Sequence, residues 1–199
     1  MRSPRLADAA EWRRLRILNR ERIEPWWVSS SLSWEERHSD AEWMSHYLHA
    51  RRAAIAGKAL PLVVEVDGRF TGQCNLEWID PHNGNAELGI WLDEAIAATG
   101  LTGVAAAAVV DYAFGPLGLH RLSAPIADGN DLAAWGAERL GMRREGLMAG
   151  YLDVGGRRRA HHLWAITRDD LPEGGMLAFA TTEASRARGP RRDARPASG

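Results

Sequence analysis

One cysteine, Cys74, is all the 199-residue sequence contains, which excludes an intramolecular disulfide and any CxxC metal pair. No cysteine or carboxylate stands at metal-ligand spacing, so no metal is expected. His46 and His49 lie three apart on a predicted helix, and a solvated face explains them. Neither charge sign is in excess. The formal net charge of −1 gives no case for nucleic acid as a main partner or for its sequence-specific recognition. Long apolar runs are missing too: none approaches bilayer length, and the N-terminus carries no apolar signal core. The expected setting is the cytoplasm, with no membrane partner. Lysine is nearly absent, Lys58 standing against 24 arginines, a bias that GC-rich coding explains better than function.

What is present suits a single core. Hydrophobic residues make up 45% and charged residues 26% of the chain, ordinary values for one globular domain of this length. Nine tryptophans are many, and each belongs in a core or a pocket wall because it buries a large area. Asp8-Ala-Ala-Glu11 resembles a capping box opening a helix with Trp12, Leu15 and Leu18 on one side. A Trp- and Ser-rich connection over 19–38 follows, and a second helix starts after Ser39 or Asp40, with Met44, Tyr47, Leu48, Arg51 and Ile55 at helical spacing. Leu60–Val66 and Arg69–Trp78 flank Asp67-Gly68, a hairpin signal. Strands at Asn85–Leu92 and His120–Ile126, helices near 103–114 and 131–140, and a hairpin turning at Gly155-Gly156 complete the order ααβββαβαββ. The pattern fades after Pro172. Residues 1–172 are read as one domain and 173–199 as a disordered basic tail, with five arginines in Ser185–Gly199. A solvated terminus explains that tail better than a contact with RNA or a ribosome.

The stretch Glu87–Phe114 reads as a strand, a glycine-punctuated turn and an almost wholly apolar helix. A helix entered through such a loop offers free backbone N–H groups at its positive end, a place for a pyrophosphate. Thr99 or Thr102 could equally cap the helix with no ligand. Pro125 stands inside a strand that the order makes central. Proline cannot donate to a ladder, so either the neighbouring strand diverges there or this is an edge.

The order and the residues at its joints resemble the GNAT superfamily of acetyl-CoA-dependent N-acetyltransferases, and within it the RimJ/RimL branch that acetylates N-terminal amines of ribosomal proteins. The resemblance runs from about Leu6 to Thr167. It is carried by Asn19-Arg20 with Ile23-Glu24-Pro25-Trp26, Phe70-Thr-Gly-Gln73, Glu87-Leu-Gly-Ile-Trp-Leu92, Phe114-Gly-Pro-Leu-Gly-Leu-His-Arg121, Asn130 with Glu138-Arg-Leu-Gly-Met142, and Glu145-Gly146 with Tyr151-Leu152 and Gly156. Several family positions differ. The phosphate-loop run is Ala97-Ala-Thr-Gly100-Leu-Thr102 with Gly103 one place late, and Ala133, Ala137 and Ala160 replace a serine, a tyrosine and an aspartate.

The resemblance implies an α/β GNAT fold: a mixed, mostly antiparallel twisted sheet with a splayed parallel pair, flanked by helices. It implies acetyl-CoA as co-substrate, held by Ile90, Trp91, Leu92, Thr99, Gly100, Leu101, Thr102, Gly103 and Asn130. Asn130 serves equally as a helix N-cap. Glu87 is the candidate general base, with a solvent-facing carboxylate as the plainer reading. Tyr151 is a candidate acid or a core hydroxyl. His161 and His162 alternate across a strand, so only one points inward. Trp26, Trp27 and Trp34 are placed on the acceptor side as a wall around a protein N-terminus or small amine, with core packing as the alternative for each. The implied activity is acetylation of a protein N-terminal α-amine, with the ribosome as an associated partner. The alternative is a GNAT scaffold that binds CoA as a regulatory module, motivated by the alanine replacements.

Overall fold

The computed structural model describes residues 1–187, with side chains up to residue 182. The chain opens with α1 (Ala9–Leu18), α2 (Arg20–Ile23) and α3 (Asp40–Ile55). Three strands follow, β1 (Val63–Val66), β2 (Arg69–Asp80) and β3 (Asn85–Leu92). Then come the single-turn α4 (Glu94–Ala97), α5 (Leu101–Phe114), β4 (Arg121–Ala127), α6 (Asp131–Arg139), β5 (Arg143–Val154), β6 (Arg157–Thr167) and α7 (Met176–Ala187). The six strands form one sheet in the order β1-β2-β3-β4-β6-β5. Every pair is antiparallel except β3–β4.

Local chemistry sets the turns. Asp67 and Gly68 both take positive φ, 50° and 75°, the backbone a two-residue hairpin needs. Gly72 is required for a different reason. A Cβ there would stand 2.2 Å from the Trp91 carbonyl oxygen, so only glycine lets β2 lie against the end of β3. Met1–Leu6 contributes a single bridge, Arg2 to Val63, at the sheet edge.

The two faces of the sheet are covered differently. On one lies α5, whose Ala105, Ala106, Val109, Val110 and Ala113 pack with Cys74, Leu76, Leu88, Leu122 and Ile166. The Cys74 thiol sits in this core with its pKa pushed up to about 12 by burial. On the other face, Trp12 and Leu15 of α1 and Trp43 of α3 pack with Val63 and Phe70.

Four expectations are corrected here. Asp8 does not cap α1; its buried carboxylate accepts from Arg2 Nη1 and Nη2 at 2.9 and 2.7 Å and from the Arg5 N–H at 2.7 Å, a bidentate charge-assisted pair that outcompetes a helix end. Leu18 is 67% exposed, since the chain turns into α2 directly after it. On α3 the buried residue is Trp43, while Met44, Leu48 and Ile55 are exposed. The tail read as disordered from residue 173 begins with α7. Asp111 of α5 accepts the N–H groups of Met176 and Leu177 at 2.7 and 2.9 Å, and Met176 enters the core. A cap supplied from 65 residues away leaves no local signal. Residues 188–199 of that tail lie outside the described residues.

Candidate functional site

The parallel pair β3–β4 is joined at only three positions, Asn85–Arg121, Ala86–Leu122 and Glu87–Ser123. Beyond them β3 runs five residues further and β4 four, each held only by its outer neighbour. The Arg121 N–H bonds to the Gly84 carbonyl, so by the two-residue period of a strand the N-positions of Ser123 and Pro125 also face β3. Pro125 therefore spends its missing donor on the side where pairing has already ended. The same parity, fixed by Gly84 and by Asp93 N–H bonding to Thr71 across β2, turns the backbone N–H and C=O of Ile90 into the gap.

The gap opens beside the start of α5. Gly100 is its N-cap, at φ 85°, and contributes no side-chain cap. Thr99 turns away, its hydroxyl donating to the Ile96 carbonyl at 2.7 Å. Gly100 itself offers no side chain to the N–H groups of Leu101, Thr102 and Gly103, and a Cβ built at Gly100 or Gly103 would meet nothing within 4 Å. The Thr102 hydroxyl is buried without a hydrogen-bond partner. The amides of a helix start, a helix dipole and an orphaned buried hydroxyl make a donor set fit for a phosphate oxygen. Asn130 does cap α6, its Oδ1 accepting the Ala133 N–H at 3.3 Å, at the mouth of the same gap.

Two of the residues expected at the coenzyme are turned otherwise. Trp91 presents its backbone to β2 and its ring to the α1 face, where Nε1 donates to Gln73 Oε1 at 3.1 Å. The Leu92 carbonyl accepts from Arg22 Nη2, and its side chain is buried in the α5 core.

Glu87 lies at the point where β3 and β4 part, directly across from Glu77 on β2. It is half-buried, and no ion pair to it exists among the described residues. Burial first, and the Glu77 charge second, raise its pKa above the usual carboxylate value. That is the direction that suits a proton acceptor near neutral pH. Tyr151 stands near enough to feel Glu87; burial and that negative charge raise the phenol pKa, keeping it protonated. Its ring meets His161 edge-on at 5.3 Å. His161 is the inward histidine, and His162 pairs with Asp128 at 3.1 Å on the other face.

The loop after α2 roofs this face. Its backbone is tied to the β5–β6 turn: Ser29 N–H bonds to the Asp153 carbonyl at 2.9 Å and Gly155 N–H to the Trp27 carbonyl at 3.1 Å. A Cβ at Gly155 would stand 2.7 Å from the Pro25 carbonyl oxygen, so this glycine permits the docking. Trp26 reaches across to Gly129 and lies under Arg159. Trp27 stacks on Arg16. Trp34, in contrast, is 1% exposed, its indole N–H donating to the Arg16 carbonyl at 2.9 Å. It is core and cannot line an acceptor wall, because its only polar group is spent on α1.

Three functional neighbours escaped sequence reading. Asn19 is buried and ties α1 to the end of β3, donating to Asp93 Oδ1 and accepting the Glu94 N–H, both at 2.9 Å. Arg22 holds the Leu92 carbonyl. Arg16 lies between Trp27 and Trp91. The Asn19-Arg20 pair was the available signal for the first; nothing local marks the others. An open groove of about 530 Å³ along α1, lined by Arg13, Arg14, Ile17 and Glu35, lies apart from the strand gap.

Comparison with known proteins gives a consistent result. The family model described as an acetyltransferase (GNAT) domain matches residues 1–143. A solved structure of Mycobacterium smegmatis RimJ in complex with CoA-disulfide is 32% identical and superposes with a TM-score of 0.86, covering 92% of this chain and 87% of that one. The Vibrio fischeri ribosomal-protein-S5-alanine acetyltransferase shares the fold at 24% identity and a TM-score of 0.75, covering 85% and 92% of the two chains. The putative ribosomal N-acetyltransferase YdaF of Bacillus subtilis (strain 168) is 28% identical over 157 residues, 78% of this chain and 81% of that protein.

Proposed function

The chain belongs to the GNAT acetyltransferase family, in its RimJ/RimL branch, and as an acetyl-CoA-dependent N-acetyltransferase we propose that it acetylates the N-terminal α-amine of a protein, such as an N-terminal alanine on a ribosomal protein. The observation that carries the reading is the parted β3–β4 pair opening beside the N-terminal amides of α5. The names of its relatives, ribosomal N-acetyltransferases among them, support the acceptor class and a cytoplasmic setting beside the ribosome.

Acetyl-CoA supplies the acyl group as a thioester, and transfer to the amine exchanges a C–S bond for a C–N bond. In this reading the N–H groups of Leu101, Thr102 and Gly103, with the Thr102 hydroxyl, bind the pyrophosphate. The backbone of Ile90 meets the pantetheine arm, and Asn130 flanks it. Glu87, with its raised pKa, takes the proton that frees the nitrogen lone pair. The second nitrogen proton leaves as the amide forms, and Tyr151, still protonated, can supply one to the departing sulfur. Trp26 and Trp27 wall the acceptor side. The reading as a non-catalytic scaffold is not favoured: Glu87 stands with a raised pKa where β3 and β4 part, and Tyr151 feels its charge.

The test is acetyl-CoA-dependent thiol release with peptides of varied N-termini, with mass spectrometry locating the acetyl group. Acetylation of the α-amine is expected. Exclusive acetylation of lysine side chains or of polyamines would overturn the acceptor assignment.

A further inference from the structure

Arg16 is an electrostatic anomaly on the acceptor face. It projects from α1 with 3% exposure, and its guanidinium carbon lies 3.8 Å from the centroid of the Trp27 ring and 4.0 Å from that of Trp91. Two of its nitrogens, Nε and Nη1, are buried with no hydrogen-bond partner. The carboxylates of the neighbouring roof are already committed. Glu24 and Glu35 bond to Arg20 at 2.6 and 2.8 Å, and Asp93 is bonded to Asn19. Burial, and secondarily the like charge of Arg37, press its ionisation downward. Guanidinium stays charged in proteins. Stacking on two indoles offsets part of the cost of burying it, but an uncompensated buried cation with idle donors normally requires an anion.

We propose that Arg16 reads a carboxylate on the acceptor, namely an acidic side chain in the first few residues of the peptide whose N-terminus is acetylated. This rests on the N-terminal reading above. Trp91, the floor beneath Arg16, shares a strand face with Glu87, and the residue between them on that face, Gly89, presents no side chain to open space. Four residues of strand separate Glu87 from Trp91, roughly 13 Å at about 3.3 Å per residue. An extended peptide with its amine at Glu87 covers that interval at about its fourth residue, whose carboxylate then lies within reach of the guanidinium. The amine and carboxylate of a free amino acid are too close together to span that interval.

The test compares matched peptides with an N-terminal Ala and either Asp or Asn as the fourth residue, with free aspartate as a third acceptor, on the wild-type chain, Arg16→Met and Arg16→Lys. The wild-type protein is expected to favour the Asp peptide by about 10–100-fold in kcat/KM, the range of a hydrogen-bonded charge pair, with most of the effect in KM. Arg16→Met should remove that preference while melting no lower than wild type, because it takes away an uncompensated buried charge. Arg16→Lys should keep part of the preference, since charge survives and the planar fork does not. Equal use of both peptides by the wild type overturns the proposal. So does a loss in Arg16→Met that is the same for both peptides and accompanied by a lower melting temperature. A preference for free aspartate overturns the assignment to a peptide. A second readout separates the two readings: tryptophan emission, titrated with each peptide in the presence of CoA, should respond to the Asp peptide through Trp27 and Trp91 and lose that response in Arg16→Met. Acid-selective emission without acetylation would sink the N-terminal transferase reading and leave the Arg16 site standing. Acetylation of both peptides without acid selectivity would do the reverse.

Discussion

The two faces of the sheet bury comparable elements by opposite means. Beneath α5 the packing is alanine, valine and leucine, with the helix wrapped between sheet and α7 so that its all-round apolar sequence finds an apolar partner on both sides. On the α1–α3 face the large residues are tryptophans, interleaved with His38, His46 and Arg16. The first face keeps few polar side chains: Asp111 is satisfied by α7, and the Thr102 hydroxyl and Trp164 indole N–H are left without partners. The second holds ionisable groups away from water, and such groups are costly unless something uses them. Stability is concentrated on one face and selectivity on the other.

That division can be broken at several points. The largest effect is expected at Glu87: Glu87→Gln should lower kcat by about 10²–10⁴-fold with little change in melting temperature. The basic limb of the mechanism depends on the deprotonated form, so in the wild type the rate should fall as pH drops through a pKa raised above the ordinary glutamate value. The variant should lose that limb, and a limb unchanged in Glu87→Gln would remove Glu87 from the chemistry.

On the structural side, Gly72→Ala drives a methyl group against the Trp91 carbonyl and the Leu92 Cα. It should cost about 3 kcal/mol, read by urea denaturation. An unchanged midpoint would mean that the end of β3 yields easily.

The aromatic face should also betray itself in acid. His38 is buried between Trp12 and Trp34, its Nδ1–H donating to the Trp34 carbonyl at 2.6 Å, and burial lowers its pKa to about 4. Unfolded histidine binds its proton near 6.5. Between those values the unfolded chain holds more protons, so stability drops as pH falls from about 6.5 to about 4 and levels off below, by on the order of 3 kcal/mol. Chemical melts across that window should show the slope, and His38→Gln should flatten it.

The smallest effect belongs to the orphaned hydroxyl. Thr102→Val should weaken CoA binding about threefold to tenfold and leave thermal stability level or slightly raised, because the group it deletes has no partner within the protein.

The same contrast explains what could be read without coordinates. The turns and the α5 packing were legible because their signals are local: Asp67-Gly68, Gly155-Gly156, the apolar run of α5 and a proline inside β4. In the residues themselves the parting of β3 from β4 shows only at Pro125, which an edge strand explains as well, and the splayed pair comes from the family resemblance. The α1–α3 face was not legible, because its partners meet from distant parts of the chain. Asp8 takes Arg2 in place of a helix end, Asn19 serves Asp93 and Glu94 some 74 positions on, and Trp34 spends its indole on Arg16. A tryptophan in a loop looks the same in sequence whether it stacks on an arginine, as Trp27 does on Arg16, or fills a core, as Trp34 does. Asp111 carries no mark of the cap it provides for α7, and without that cap the segment after Pro172 has no reason to be helical.

The most direct test of the central claim is calorimetric titration of CoA into the wild-type chain and Gly100→Glu. Gly100 borders open space at φ 85°, so the glutamate reaches the amide cluster rather than the core, placing a like charge where the pyrophosphate belongs. The expected outcome is micromolar binding by the wild type and none measurable in the variant, with circular dichroism of the two superimposable. Undiminished binding in a folded Gly100→Glu would contradict the account: the diphosphate would then be held elsewhere, and the α5 entrance would be a helix end and nothing more.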